Sequence, residues 1–156
     1  MESKSNVPEW MHTTEIEVVY KTKIPMSKRP KLSQSADVVN LLRSIWNPNQ
    51  LEFLEECYML LLNQGNRVLG FVQLSKGGIS GTVVDPRIVF GIALKVHASC
   101  IILAHNHPSG AINPSAADIK LTEKIKAAAT LLDIKLLDHI ILSTEGYYSF
   151  ADEGAL

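Results

Sequence analysis

Several features that would place this chain in an easily recognised class of protein are missing from its sequence. Two cysteines among 156 residues are too few for a disulfide framework, and both, Cys57 and Cys100, lie inside apolar segments. No apolar run approaches the roughly 20 residues that a membrane-spanning helix needs. The N-terminus also lacks the basic and apolar pattern of a secretion signal. We therefore expect a cytoplasmic protein with reduced thiols and no membrane segment.

An excess of charge of one sign is missing as well. Fifteen basic side chains against sixteen acidic ones leave a net charge of −1, which removes any global electrostatic argument for nucleic-acid binding. The densest basic stretch, residues 21–31, is typical of a solvated loop. DNA is therefore a partner that the charge does not support, and the oligomeric state is left open.

The chain has the length of one domain, with no internal repeat and no low-complexity tract. We place an N-terminal segment at residues 1–31, with one strand over 15–20 and the basic loop, and a folded domain at 32–156. Hydrophobic periodicity and turn residues predict helices over 35–46, 49–55, 85–97 and 115–132, and strands over 57–62, 68–74, 99–104, 135–143 and 147–150. This order is typical of a mixed α/β domain in which helices flank a central sheet.

The residues that carry chemistry lie between His105 and Asp118. His105 and His107 are one residue apart at the end of a predicted strand, so their side chains point the same way. Asp118 follows in the first turn of the next predicted helix, where its carboxylate can return to the strand end as a third ligand. Two histidines and one carboxylate with an open fourth position suit a catalytic zinc site. We therefore predict one Zn²⁺ ion here.

Each of these residues also has an ordinary structural explanation. A histidine at a strand end is commonly a hydrogen-bonded polar residue. Ser115 and Asp118 are three apart at a predicted helix start, as in a capping box, and an acidic residue there suits the helix dipole. The three ligand candidates together, at the carboxyl end of a buried strand where open α/β sheets place their sites, favour metal binding.

The same residues resemble the signature of the JAMM (MPN) metalloproteases, a His-x-His pair and Pro followed by Ser-x-x-Asp. Here His105, His107, Pro108, Ser115 and Asp118 match it without exception. The fuller motif His-Asn-His-Pro-Ser-Gly, with further matches across roughly residues 52–154, is similar to the RadC family of bacterial proteins. The resemblance implies a JAMM/MPN-like fold of cytidine-deaminase-like architecture. It also implies a zinc-dependent hydrolase that cleaves amide bonds of peptide or protein substrates.

A catalytic glutamate just before the strand beside the metal site is also implied by the resemblance to JAMM enzymes. Counting back from Asn66 in the RadC pattern gives Glu55, with Glu56 the alternative and Glu52, one helical turn earlier, less suitable. A solvated acidic helix end would explain the same residues. In this interpretation Glu55 accepts a proton from the attacking water. The Ser115 hydroxyl is a candidate to stabilise the oxyanion, besides its role as a helix cap.

Three further residues belong to the motif or match the RadC pattern without a direct chemical role. Asp138 and His139 lie on the strand predicted over residues 135–143, and we assign them supporting or core roles. Asn106 stands between the two histidines and points the opposite way, so we expect it to tie the loop. RadC proteins usually carry an N-terminal helix-hairpin-helix region, for which this chain is too short, so we expect a stand-alone RadC-like domain.

Three other functions compete with hydrolysis. The domain could be a metal-binding scaffold without activity, a case distinguished by whether Glu55 reaches the metal-bound water. DNA repair is the historical label of RadC proteins, and neither a helix-hairpin-helix module nor a second carboxylate cluster for a two-metal nuclease supports it. A thiol enzyme is disfavoured because neither Cys57 nor Cys100 has an activating helix start or base beside it.

Overall fold

The computed structural model describes residues 21–78 and 81–156, and these residues form a mixed α/β fold. In chain order the elements are a 3₁₀ turn (Met26–Lys28), α1 (Ser35–Ile45), β1 (Glu56–Leu62), β2 (Val68–Lys76), α2 (Pro86–Lys95), β3 (Cys100–Asn106), α3 (Ala116–Leu131), β4 (Lys135–Leu142) and β5 (Tyr147–Ser149). The fold class expected from the sequence is confirmed. The strand predicted over residues 15–20 lies outside the described residues, and the domain boundary after residue 31 stays a prediction.

The five strands form one sheet in the order β2-β1-β3-β4-β5. β3 and β4 are parallel, with α3 as the connection between them, whereas the other neighbouring strands are antiparallel. All seven residues of the central strand β3 are buried. The carboxyl end of β3 is therefore held by β1 on one side and by β4 on the other.

Side-chain alternation along β3 divides the core into two layers. Ile102 and Ala104 pack in the layer that contains the buried residues of α1. Ile101 and Leu103 pack in the layer that contains the buried residues of α2 and α3. Because side chains alternate with period two, His105 falls on the side of α2 and α3, and Asn106 falls on the side of α1. The strand thus directs its last two side chains toward different elements.

The starts of the helices match the capping signals in the sequence. Asp85 precedes Pro86, and its carboxylate accepts a hydrogen bond from the Arg87 N–H at 2.9 Å. Ser115 caps α3 through its hydroxyl oxygen. Both helices therefore begin where local chemistry predicts them to begin.

The prediction of a short helix over residues 49–55 is wrong. Two successive turns occupy this region, and the Leu54 N–H bonds to the Gln50 C=O before the pattern stops. The Asn106 side-chain amide donates to the Leu51 and Leu54 carbonyls, each at 2.8 Å. The Glu55 N–H, which a helix would pair with Leu51, bonds instead to Gly78. A distant side chain has replaced the helical hydrogen bonds.

The basic stretch over residues 21–31 is not a uniformly solvated loop. Arg29 is only 7% exposed, and its guanidinium donates to the Leu69 C=O at 2.9 Å. The Pro30 C=O accepts from the Val68 N–H, and Lys31 forms a β-bridge with Arg67. The stretch thus covers the start of the edge strand β2, and the Arg29 charge is directed into the protein.

The apolar residues of the strands and helices pack in the two layers of this core. Within residues 21–78 and 81–156, no helix is long and apolar enough to cross a bilayer. Cys57 and Cys100 are free thiols and both are buried. Burial, helped by the nearby negative charges of Glu55 and Asp118, raises the pKa of Cys57 to about 12. Burial also raises the pKa of Cys100.

We predict that neither thiol reacts while the protein is folded, because alkylation requires an accessible thiolate. Iodoacetamide at pH 8 should modify no cysteine of the native protein and both cysteines in denaturant, counted by mass spectrometry. Native labelling of Cys57 at the rate seen in denaturant would contradict its burial and its raised pKa.

Candidate metal centre

The three predicted ligand residues meet at the carboxyl end of β3. The Nε2 atoms of His105 and His107 are 3.0 Å apart. Each lies 3.2 Å from a different carboxylate oxygen of Asp118. Ligand atoms around a tetrahedral ion with bonds of about 2.0–2.1 Å are roughly 3.3 Å apart. The three side chains have the spacing of a shared ligand set and could hold one metal ion.

Each histidine is oriented by a partner at its other ring nitrogen. His105, 3% exposed, contacts His139 through Nδ1 at 2.8 Å. His107 lies in the following loop and donates its Nδ1–H to the Ala111 C=O at 2.9 Å. That loop turns at Gly110, whose φ of 80° favours glycine. The partners leave both Nε2 atoms facing Asp118, which is the orientation that a metal ligand requires.

Asp118 serves as a helix cap and as a ligand candidate at the same time. The Ser115 hydroxyl oxygen accepts from the Asp118 N–H at 3.1 Å, and the carboxylate accepts from the Ser115 N–H at 2.7 Å. Burial raises the pKa of Asp118, but the contacts of its carboxylate with the His105 and His107 rings outweigh it and hold that pKa well below its usual range. The side chain is therefore a carboxylate, the form that binds cations.

A buried polar chain lies behind His105. His139 is fully buried on β4 and stacks on Phe150, with ring centroids 5.0 Å apart. Its Nδ1 lies 2.7 Å from the Thr122 hydroxyl, which donates to the Asp118 C=O at 2.7 Å. Burial, followed by the charge of His105, lowers the pKa of His139 to about 3. The ring is therefore neutral.

Sequence reasoning missed Thr122 in this chain of contacts. A threonine inside a helix carries no signal of its own. The available indication was its spacing, since Thr122 lies four residues after Asp118 and so shares its face of α3. His139 contacts a ligand candidate directly, which is consistent with the supporting role that the sequence suggested.

The two adjacent glutamates point in different directions. Glu55 lines the cavity that also contains the three ligand candidates. After the hydrogen bond with Asp118, the charge of Glu55 is among the causes that raise the pKa of His107. Glu56 is 2% exposed, and one of its carboxylate oxygens accepts from Gln73 at 3.0 Å. The separation follows from alternation along an extended chain.

Other contacts distinguish the remaining acidic candidates. Glu56 also lies 3.5 Å from the Lys76 ammonium, so its charge is paired on β2. Glu52 accepts a hydrogen bond from the Thr144 hydroxyl at 2.8 Å, and it does not line the cavity. Of the three glutamates, Glu55 is the one that the structure places beside the candidate metal ligands.

The cavity in front of the ligands has a volume of about 600 Å³. Its lining includes Ser115 on the start of α3 and the segment from Gly81 to Val84. Because the Ser115 oxygen only accepts in the helix cap, its hydroxyl proton is free to donate to a group in the cavity. The capping role and a role toward a substrate are therefore compatible.

Asn106 holds the segment that carries Glu55. Its Oδ1 accepts from the Glu56 N–H at 2.8 Å, and its amide group donates to the Leu51 and Leu54 carbonyls. The side chain is completely buried, so water does not compete for these hydrogen bonds. Asn106 therefore holds a distant loop, the one that leads to Glu55, rather than the loop of its own motif.

A central sheet whose middle strand ends in a His-His-Asp cluster is the arrangement of a JAB-type domain. The chain belongs to the RadC-like JAB domain family, whose model matches residues 32–155. It is 48% identical to a UPF0758 protein of Flavobacterium johnsoniae over 127 residues, which cover 81% of this chain and 54% of that protein. It is 43% identical to a UPF0758 protein of Porphyromonas gingivalis over 136 residues, covering 86% and 60%. The chain spans about half the length of the curated relatives it matches.

We predict that Asn106→Ala lowers the free energy of unfolding by about 2–4 kcal/mol, because two carbonyls and one N–H lose a buried partner. Urea denaturation followed by circular dichroism would measure the change. Asn40→Ala, at an exposed position of α1, is the matched control and should change stability by no more than about 0.5 kcal/mol. Equal effects of the two substitutions would show that Asn106 does not hold the loop.

Proposed function

We propose that this domain is a zinc-dependent hydrolase of amide bonds, acting on peptide or isopeptide bonds of proteins. The observation that carries the proposal is the single cavity lined by His105, His107, Asp118, Glu55 and Ser115. It combines a ligand set, an acidic side chain and a hydroxyl. Membership of the RadC-like JAB family supports the same class of reaction.

The donor set fits zinc. Two imidazole nitrogens and one carboxylate oxygen are typical ligands of catalytic zinc sites, which keep a fourth position open. In this protein His105, His107 and Asp118 would hold the ion, and all three line the cavity that a substrate would enter. A zinc ion bound there would polarise a carbonyl group and lower the pKa of water from 15.7 to about 7.

The side chains around the cavity supply the remaining steps. Glu55 accepts a proton from the attacking water and later delivers it to the leaving amine. The Ser115 hydroxyl donates to the oxyanion that forms as the carbonyl is attacked, a contact whose loss raises the barrier by about 3 kcal/mol in comparable sites. His139 and Thr122 do not line the cavity and take no direct part.

The cavity suits part of a polypeptide. Its volume of about 600 Å³ lies within the roughly 300–1,000 Å³ of pockets that enclose small ligands. Such a space accommodates a scissile bond and a few neighbouring side chains. We also propose the cytoplasm as the compartment, which the two free buried thiols support.

We predict that the purified protein binds about one equivalent of zinc and that His107→Ala and Asp118→Ala bind far less, because each loses one of three ligands. Metal content after dialysis would be measured by mass spectrometry. His97→Asn is a matched control, since His97 is exposed after α2 with a φ of 56°, a conformation that asparagine tolerates. Equally low zinc in the wild type and the variants would refute the metal site.

We predict that Glu55→Gln keeps zinc but lowers the turnover of a peptide or isopeptide substrate by about 10²–10⁴-fold, because the amide cannot accept the proton. Glu56→Gln is the matched control, one residue away but directed toward Gln73, and should keep turnover within about threefold. Cleavage of a fluorogenic substrate panel would measure both. Unchanged turnover in Glu55→Gln would remove Glu55 from the mechanism, and a zinc-loaded wild type without turnover would favour a binding scaffold.

A further inference from the structure

The buried chain behind His105 connects β3 and α3, which carry His105 and Asp118, through β4. It begins at His105 on β3, passes through His139 on β4 and ends at Thr122 on α3. The Thr122 hydroxyl then donates to the backbone C=O of Asp118, which is itself a ligand candidate. Each contact is 2.7 or 2.8 Å long, the distance of a well-formed hydrogen bond.

The contact at the end of the chain fixes which atom donates each proton. The Asp118 carbonyl only accepts, and two oxygen atoms 2.7 Å apart repel each other unless a proton lies between them. The Thr122 proton is therefore committed to that carbonyl. This leaves the Thr122 oxygen to accept from His139, so the proton of the His139 ring is on Nδ1.

The contact with His139 fixes the tautomer of His105. His139 is fully buried and stacked on Phe150, and each of its two ring nitrogens has one partner, Thr122 at Nδ1 and His105 at Nε2. A neutral ring with its proton on Nδ1 has an accepting Nε2. The 2.8 Å contact with His105 then requires a proton on the His105 Nδ1. A neutral His105 consequently has no proton on Nε2, the atom that faces Asp118.

We infer that Thr122 and His139 are positioning residues, which fix the tautomer of His105 so that its Nε2 presents a lone pair to a metal ion. The inference rests on the metal site of the proposed function. Partners behind metal-binding histidines are usually a carboxylate, a backbone carbonyl or water. Here a histidine and a threonine serve instead, and the chain ends at a helix carbonyl that accepts the Thr122 proton.

The role of the Thr122 hydroxyl differs from that of other helical threonines. Thr130, on the same helix, also donates to the carbonyl four residues back, the Lys126 C=O at 2.9 Å, but it is exposed and has no histidine beside it. Thr130 is thus a matched control, with the same backbone contact and without the connection to His139.

The first measurement is the tautomer of His139 in the full chain, observed by long-range ¹H–¹⁵N NMR with and without zinc. We expect a protonated Nδ1 and an unprotonated Nε2 in both states. A proton on the His139 Nε2 in the wild type would overturn the inference. This measurement needs no variant, so it decides the question even if a substitution prevents folding.

The second measurement is zinc affinity, determined by competition with a chromophoric chelator. Thr122→Val removes the acceptor of the His139 Nδ1 proton, which is then free to move to Nε2 and reverse the chain. We expect zinc affinity to fall by about 10- to 100-fold, the usual effect of losing such a partner. Thr122→Ser, which keeps the hydroxyl, should restore affinity to within about threefold, and Thr130→Val should leave it unchanged.

The outcomes separate this inference from the proposed function. If the wild type binds no zinc, the metal site fails, whereas the NMR spectrum of the metal-free protein still decides the tautomer. If Thr122→Val binds zinc as tightly as the wild type, the positioning role is overturned and the hydrolase proposal stands. A loss of affinity that Thr122→Ser does not restore would reflect packing rather than hydrogen bonding, and would also overturn the inference.

Discussion

The last two residues of β3 have polar side chains that are buried. Each side chain must therefore form its hydrogen bonds within the protein. His105 is 3% exposed and Asn106 is completely buried. Because side chains alternate along the strand, the two residues satisfy this requirement in different directions. Asn106 bonds the segment between Leu51 and Glu56, and His105 bonds His139. The remaining Nε2 of His105 borders the cavity, so the site takes its shape from the way this strand ends.

The structural and chemical roles of the site residues reinforce each other. Ser115 and Asp118 cap α3 through reciprocal hydrogen bonds, an arrangement that contributes about 1 kcal/mol to helix stability. The same bonds hold the Asp118 carboxylate 3.2 Å from the Nε2 atoms of both His105 and His107. A capping box and a ligand set appear as alternatives when residues are considered singly. In the folded protein the helix cap is what orients the ligand.

The differences between sequence expectation and structure share one origin. The helix predicted over residues 49–55 is absent because Asn106 bonds the carbonyls that a helix would use. Arg29 is buried because β2 offers it the Leu69 carbonyl. The role of Thr122 has no signal in the local sequence because its partner His139 lies on another element. In each case a contact with a distant part of the chain overrides or completes a correct local preference.

The sequence by itself determined the fold class, the starts of α2 and α3, and the candidate ligands His105, His107 and Asp118. Periodicity, capping and motif spacing depend on residues near one another in the chain. Only the tertiary structure decided that Glu55 rather than Glu56 faces the cavity. It alone placed His139 and Thr122 behind His105. Those arrangements depend on hydrogen bonds between residues 17 to 55 positions apart. Such contacts exist only after folding has brought β1, β3, β4 and α3 together.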